Sequence, residues 1–152
     1  MKKYAQNVIE FAFVFLVIMS IFLSIIELSL YWRARHSVSN IANEIVANMQ
    51  IEAQNTKTES QIVNSALNAF KKSAGLLNLA NENYTIDGSS GSYKITCSFQ
   101  KKGKSALVAL ININNLERGD ISAAVIYIYS GIFLYQDGRE ISSGPVQAIQ
   151  KF

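Results

Sequence analysis

The chain of 152 residues has one cysteine, one histidine and one proline, and its first glycine is Gly75. A lone Cys97 excludes an internal disulfide and leaves only an intermolecular bridge, should the thiol be exposed. His36 and Cys97 alone cannot supply a His/Cys metal centre, and no glycine-rich nucleotide loop is present. With the only proline at Pro145, the residue types that break helices are missing from residues 1–74. Charge is also sparse. The net value is +3, and losing Lys2 and Lys3 would leave +1, too little to argue for a nucleic-acid partner.

What the sequence has in abundance is apolar surface near its start. Residues 8–32 read VIEFAFVFLVIMSIFLSIIELSLYW, and residues 11–26 carry no charge. A bilayer core of about 30 Å needs about 20 such residues in a helix. Lipid offers the backbone no hydrogen-bond partners, so a spanning segment must be helical. Tyr31 and Trp32 end the run as an interfacial aromatic anchor would. Lys2 and Lys3 flank one side, Arg33 and Arg35 the other, so the count of positive residues does not fix orientation. A removable secretory signal has a shorter apolar core and small residues at its cut. Here the distal end is Ser29-Leu30-Tyr31-Trp32-Arg33, which favours a retained span. Glu10 stands near the head of that span. An ionised carboxylate deep in a span costs roughly 2.5–3.5 kcal/mol on insertion scales, so it is expected to pair, to serve a function or to reach the headgroups. Ser20 and Ser24 form a small-xxx-small pair that permits close helix approach, or simply bond back to their own helix. Glu27, at the far end, is expected to pair with Arg33, Arg35 or water, or to lie in an interface.

The N-terminal segment resembles the TadE-like and TadF-like pseudopilins of the tight-adherence (Flp) pilus. The residues that carry the resemblance are Lys2-Lys3, Ala5, Gln6-Asn7-Val8-Ile9, Glu10-Phe11, Ile25-Ile26-Glu27-Leu28 and Asn40-Ile41-Ala42-Asn43-Glu44, spanning residues 1–48. The resemblance implies a prepilin leader over residues 1–5, cut by a prepilin peptidase between Ala5 and Gln6. Glu10 would then offset the freed amine of a neighbouring subunit, with Phe11 beside it in the assembly surface. Two positions depart from the family pattern: Ala5 stands where glycine is usual, and Leu16 where many relatives carry proline. The implied partners are the membrane, other pilins or pseudopilins and the inner-membrane assembly platform, in an oligomer. The implied location is the bacterial inner membrane, single-pass, with the N-terminus cytoplasmic and the head periplasmic or extracellular.

Beyond the span, Val38, Ile41, Ala42, Ile45, Met49 and Ala53 recur at three- and four-residue steps, which predicts a stalk helix over residues 33–54. Its apolar stripe would face its own head or a neighbouring subunit. Thr58 and Gln61 suggest a capping box opening a second helix, with Ile62, Ala66, Ala69, Phe70 and Leu77 as its apolar face, antiparallel to the first. The period then changes. Tyr93, Ile95, Cys97 and Phe99 alternate with polar residues as in a half-buried antiparallel strand. Leu107–Ile113 and Ile121–Tyr129 are further strands, the latter apolar on both faces and so placed inside the sheet. Asp137-Gly138 suggests a last hairpin between Phe133–Tyr135 and Arg139–Ile141. Residues 142–152 are expected to form a surface tail.

The expected fold is therefore α+β and pilin-like: a transmembrane helix over 6–32, the stalk, and a small antiparallel-sheet head within 55–152. The alternative of a second span over 121–135 is disfavoured by its length and its β-branched content. No cofactor or metal is expected. His36, next to Ser37, makes no triad. The leading expectation is a minor pseudopilin that takes part in initiating or assembling the pilus or a related secretion filament, and not an enzyme. Two rivals stay open: a membrane-anchored scaffold or binding protein that enters no filament, and a membrane-bound enzyme using Asp120 and Asp137.

Overall fold

The computed structural model describes residues 2–54, 59–76, 80–89, 92–101, 104–115 and 120–148. Helix α1 (Lys2–Gln54) and helix α2 (Glu59–Leu76) precede six strands: β1 (Ala80–Ser89), β2 (Ser92–Lys101), β3 (Lys104–Asn115), β4 (Asp120–Tyr129), β5 (Arg139–Ser142) and β6 (Val146–Gln147). Free of glycine and proline, α1 runs unbroken through 53 residues, about 80 Å at 1.5 Å per residue. It includes residues 2–5, the expected leader. Thr58 of the expected capping box and Leu77 lie outside the described residues.

The strands form one antiparallel sheet in the order β1-β2-β3-β4-β5, with β6 also paired to β4. From β1 to β5 consecutive strands are thus neighbours, as in a meander. β4 lies inside the sheet, as its two apolar faces demand. Its far edge is shared by β5, which pairs Ile126–Tyr129, and β6, which pairs Ser122 and Ala123. Between them the Ser143 hydroxyl accepts the Val125 amide at 2.9 Å, and the Ser143 amide donates to Val125 O at 2.9 Å. Pro145, with no N–H to offer, falls in this gap. Of the expected surface tail over residues 142–152, residues 142–148 are held against β4, with Val146 and Ala148 packed on the core; residues 149–152 lie outside the described residues.

One sheet face is covered by the helices. Ile95, Cys97 and Phe99 of β2, Leu107, Ala109, Ile111 and Ile113 of β3, and Ile121, Ala123 and Val125 of β4 are all buried. They meet Val38, Ile41, Ala42, Ile45, Val46 and Met49 of α1 and Ala66, Ala69 and Phe70 of α2 in one cluster. The stripe of the stalk helix thus faces its own head. Phe70 and Phe99 stack at 5.0 Å between centroids, which ties α2 to β2. Lys72 lies 3.4 Å from Glu44, so the late turns of α2 lie beside a turn of α1 well before its end at Gln54, and the two helices are antiparallel. Lys71 reaches Glu82 on β1 at 2.9 Å. Both ion pairs are solvent-exposed and contribute little. Residues 121–129 belong to the sheet, and α1 is the one helix among the described residues long and apolar enough to cross a membrane.

The expected hairpin around Asp137-Gly138 is not formed. Residues 130–138 are a loop, and β5 pairs directly with β4. Gly138 takes φ 87°, a left-handed conformation that suits glycine, where its amide donates to Tyr135 O at 3.1 Å. Phe133–Tyr135 does not join a ladder because its amides are directed elsewhere, at a side chain of α1.

Ile111→Ala should destabilise the full chain in detergent by about 2–5 kcal/mol, as a large-to-small core change does. Asn112→Ala, exposed on the other sheet face, should stay within about 0.5 kcal/mol. Thermal unfolding separates the two. Burial, aided by the nearby Glu82 carboxylate, pushes the Cys97 thiol from 9.0 up to about 11. Alkylation of Cys97 near neutral pH should be slow in the folded chain and fast in denaturant. Below pH 9.0 the thiol is protonated in both states, and its contribution to stability is complete. Between there and about 11 only the unfolded state releases the proton, so stability falls as pH rises.

Candidate functional site

The surface of α1 changes character at one residue. From residue 3 to residue 26 every side chain is exposed except Ser24, which is half-buried. The large apolar side chains of this stretch, Phe11 at 72% and Phe13 at 68% among them, have no protein to cover them. Residues 8–26 extend about 28 Å, close to the roughly 30 Å of a hydrocarbon core. Glu27, only 5% exposed, is the first buried residue along the helix.

The polar groups of the span fall into separate places. Gln6 Nε2 donates to Glu10 Oε1 at 3.3 Å, so these two residues share one face of the first turns. Ala5 and Phe11 stand beside them, exposed. Ser20 and Ser24 lie farther along, and each hydroxyl donates to the carbonyl four residues back, Leu16 O and Ser20 O, both at 2.8 Å. Their polarity is thus satisfied within the helix, and they leave a shallow strip of small side chains.

Glu27 does something the sequence did not disclose. Its Oε2 accepts the amides of Phe133 at 2.9 Å and Leu134 at 2.7 Å, and its Oε1 accepts that of Tyr135 at 3.1 Å. The expected partners, Arg33 and Arg35, are not used. A carboxylate offers two acceptor oxygens and no donor, so three converging N–H groups suit it. Helical side chains lean toward the N-terminus, which brings the loop to or below the level of Glu27 itself. The loop is closed by the Gly131 amide, which donates to Tyr135 O at 3.0 Å. Gly131 has no room for a side chain, because a Cβ there would overlap the Glu27 carboxylate.

Above this contact, Tyr31, Tyr129 and Tyr135 form an aromatic cluster. Tyr31 lies 5.7 Å from Tyr129 and 5.1 Å from Tyr135. The Arg139 guanidinium sits over two of the rings, 5.6 Å from Tyr31 and 5.3 Å from Tyr135. Tyr31 is therefore half-buried against the head. Trp32 stays 49% exposed, with Arg35 at 5.6 Å over its ring and His36 at 6.3 Å beside it. Burial, with the Glu27 carboxylate second, raises the Tyr129 phenol above its ordinary range. On the flank of α1 a groove of about 700 Å³ runs from Leu23, Ile26 and Leu30 past Arg33 to Glu44, between the helix and the end of β4 with its loop, with Lys101 of β2 also on its wall.

Glu27 could have been found by extending the stalk stripe backward. Met49, Ile45, Ile41, Val38, Ala34 and Tyr31 step by three or four residues, and the next step lands on Glu27. Among the described residues no group of three His, Cys, Asp or Glu side chains is placed to hold a metal.

The fold and this surface define a membrane-anchored protein: one long apolar helix bearing a small α+β head. Residues 6–46, about a quarter of the chain, match the family model for TadE-like proteins. The match covers the span, Glu10, Glu27 and most of the stalk, and stops before α2. No curated protein and no solved structure matches the chain significantly.

Glu27→Ala should strip three amides of their acceptor and cost about 1–3 kcal/mol. Hydrogen exchange at Phe133–Tyr135 should quicken while that of β2 and β3 holds. Glu27→Gln keeps one acceptor oxygen and should lose less. Unchanged exchange in both variants would show that the loop does not need this carboxylate.

Proposed function

We propose that this chain is a minor pseudopilin that takes part in initiating or assembling a tight-adherence pilus or a related secretion filament. The observation that carries the reading is an unbroken helix of about 80 Å whose first half is apolar and exposed on every side, with Glu10 near its start, inside the TadE-like match. Such a helix suits both a bilayer and the core of a helical filament. In this reading a prepilin peptidase removes residues 1–5, and the new amine at Gln6 is offset by Glu10 of an adjacent subunit. Both groups attract strongly in hydrocarbon, and one left unpaired costs several kcal/mol. Phe11 and the strip at Ser20 and Ser24 let neighbouring helices approach. Other pilins or pseudopilins and the assembly platform are the partners, with the N-terminus cytoplasmic and the head outside. The role is structural and assembly-related rather than catalytic.

One observation favours a second reading. Ala5 replaces the glycine usual before the cut, and α1 continues without a break through residues 2–5. A chain that keeps those residues would be an anchored scaffold outside any filament.

The mass of the N-terminal peptide, taken from tagged protein made with and without its prepilin peptidase, separates the two. A peptidase-dependent start at Gln6 is expected; Met1–Ala5 intact in both samples would favour the scaffold. Glu10→Ala should abolish or sharply reduce filament formation while membrane insertion stays normal. Normal filaments from that variant would sink the pairing mechanism.

A further inference from the structure

The loop that Glu27 holds carries three consecutive large apolar residues at its tip. Ile132 is 86% exposed, Phe133 56% and Leu134 48%. Among the described residues, none covers this exposed surface. We propose that Ile132-Phe133-Leu134 is a second membrane contact, inserted at the boundary of acyl chains and headgroups of the bilayer that α1 crosses.

Position along α1 is the first argument. Glu27 precedes Trp32 by about 7–8 Å of helix, and its side chain leans farther toward the N-terminus. A loop bonded to that carboxylate lies on the membrane side of the interfacial tryptophan. Ile132 and Phe133 border the same groove as Leu23, Ile26 and Leu30. The apolar tip is thus continuous with the lipid-facing surface of the span rather than an isolated patch on the head.

Backbone chemistry is the second argument. Lipid cannot satisfy free N–H and C=O groups, so an inserted loop must satisfy them internally. Here the amides of Phe133, Leu134 and Tyr135 go to Glu27. The Tyr135 carbonyl accepts from Gly131 and Gly138, and the Ile132 carbonyl accepts from Gln136 Nε2 at 3.1 Å. A water-facing loop has no need of a buried carboxylate to serve its amides, whereas a lipid-facing one does. Arg33 and Arg35 lie on the next turns of α1, and Arg139 at the start of β5 sits over the Tyr31 ring, the level at which cationic side chains would meet lipid phosphates. The inference does not depend on filament entry, since it concerns the full chain in any bilayer.

The test uses the full chain in phosphatidylcholine–phosphatidylglycerol vesicles at low protein-to-lipid ratio. Trp32→Phe removes the native tryptophan, and Phe133→Trp reports from the tip. Its emission should be blue-shifted, strongly quenched by a nitroxide high on the acyl chain and protected from aqueous acrylamide. Tyr84→Trp in the same background, on the exposed edge of β1, should show the opposite on every count. Acrylamide quenching at the tip equal to that at the β1 edge, without lipid quenching, would overturn the proposal. So would protection that lacks lipid quenching and disappears as lipid is increased, since a neighbouring chain would then be the cover. Should Phe133→Trp fail to fold, Ile132→Cys with Cys97→Ala, labelled with an environment-sensitive dye, reads the same depth. A water-like spectrum from that dye would be equally decisive against lipid contact.

Discussion

A carboxylate and three backbone amides, each unfavourable alone at the edge of a membrane, satisfy one another between Glu27 and residues 133–135. Unpaired, the acid would be a buried charge and the amides buried donors, and both are penalised in low dielectric. Paired, they clamp the end of β4 to the place on α1 where the helix surface passes from exposed to covered. The aromatic cluster of Tyr31, Tyr129 and Tyr135 rests on that clamp, and Arg139 closes over it. The head is therefore fixed to the helix at its lower end by polar chemistry and along its length by apolar packing from Val38 to Met49.

This division of labour explains why a small head tolerates so long a helix. Half of α1 is an integral part of the hydrophobic core, supplying one wall of it. The other half contributes nothing to the core and is stabilised by its own hydrogen bonds in lipid. Loss of packing in the stalk stripe would loosen the sheet without affecting the span. Changes in the span before Ser24 would leave the sheet untouched.

Much of this was legible in the residues. The span, the stalk stripe and the alternating strands follow from apolar spacing, because each buries its own pattern of side chains. The match over residues 6–46 falls where the resemblance was drawn. The role of Glu27 was not legible, since its partners are more than a hundred residues away and use backbone atoms, which leave no trace in side-chain pattern. For the same reason Phe133–Tyr135 read as a strand: a short apolar run fits a ladder and an apolar loop equally well. The pairing of residues 142–148 was hidden by Ser143 and Pro145, whose polarity and missing donor suggest a tail. Tyr31 looked like a lipid anchor because it closes the apolar run beside Trp32, although the stalk stripe, extended backward, passes through it.

An unbroken helix also has a phase. With no hinge between residues 2 and 54, the azimuth of every side chain about the axis is set relative to the head. Glu27 lies seventeen positions after Glu10, which at about 100° per residue leaves their directions about a quarter turn apart. A neighbour engaging the Glu10 side would thus meet the flank of the span, offset from the sector that the head overhangs. One residue added between them would swing that sector by about 100° and raise the head by about 1.5 Å, leaving both ends intact yet mutually misaimed. The chain behaves in this respect like a keyed shaft, in which angular setting, and not only length, is encoded by the residue count.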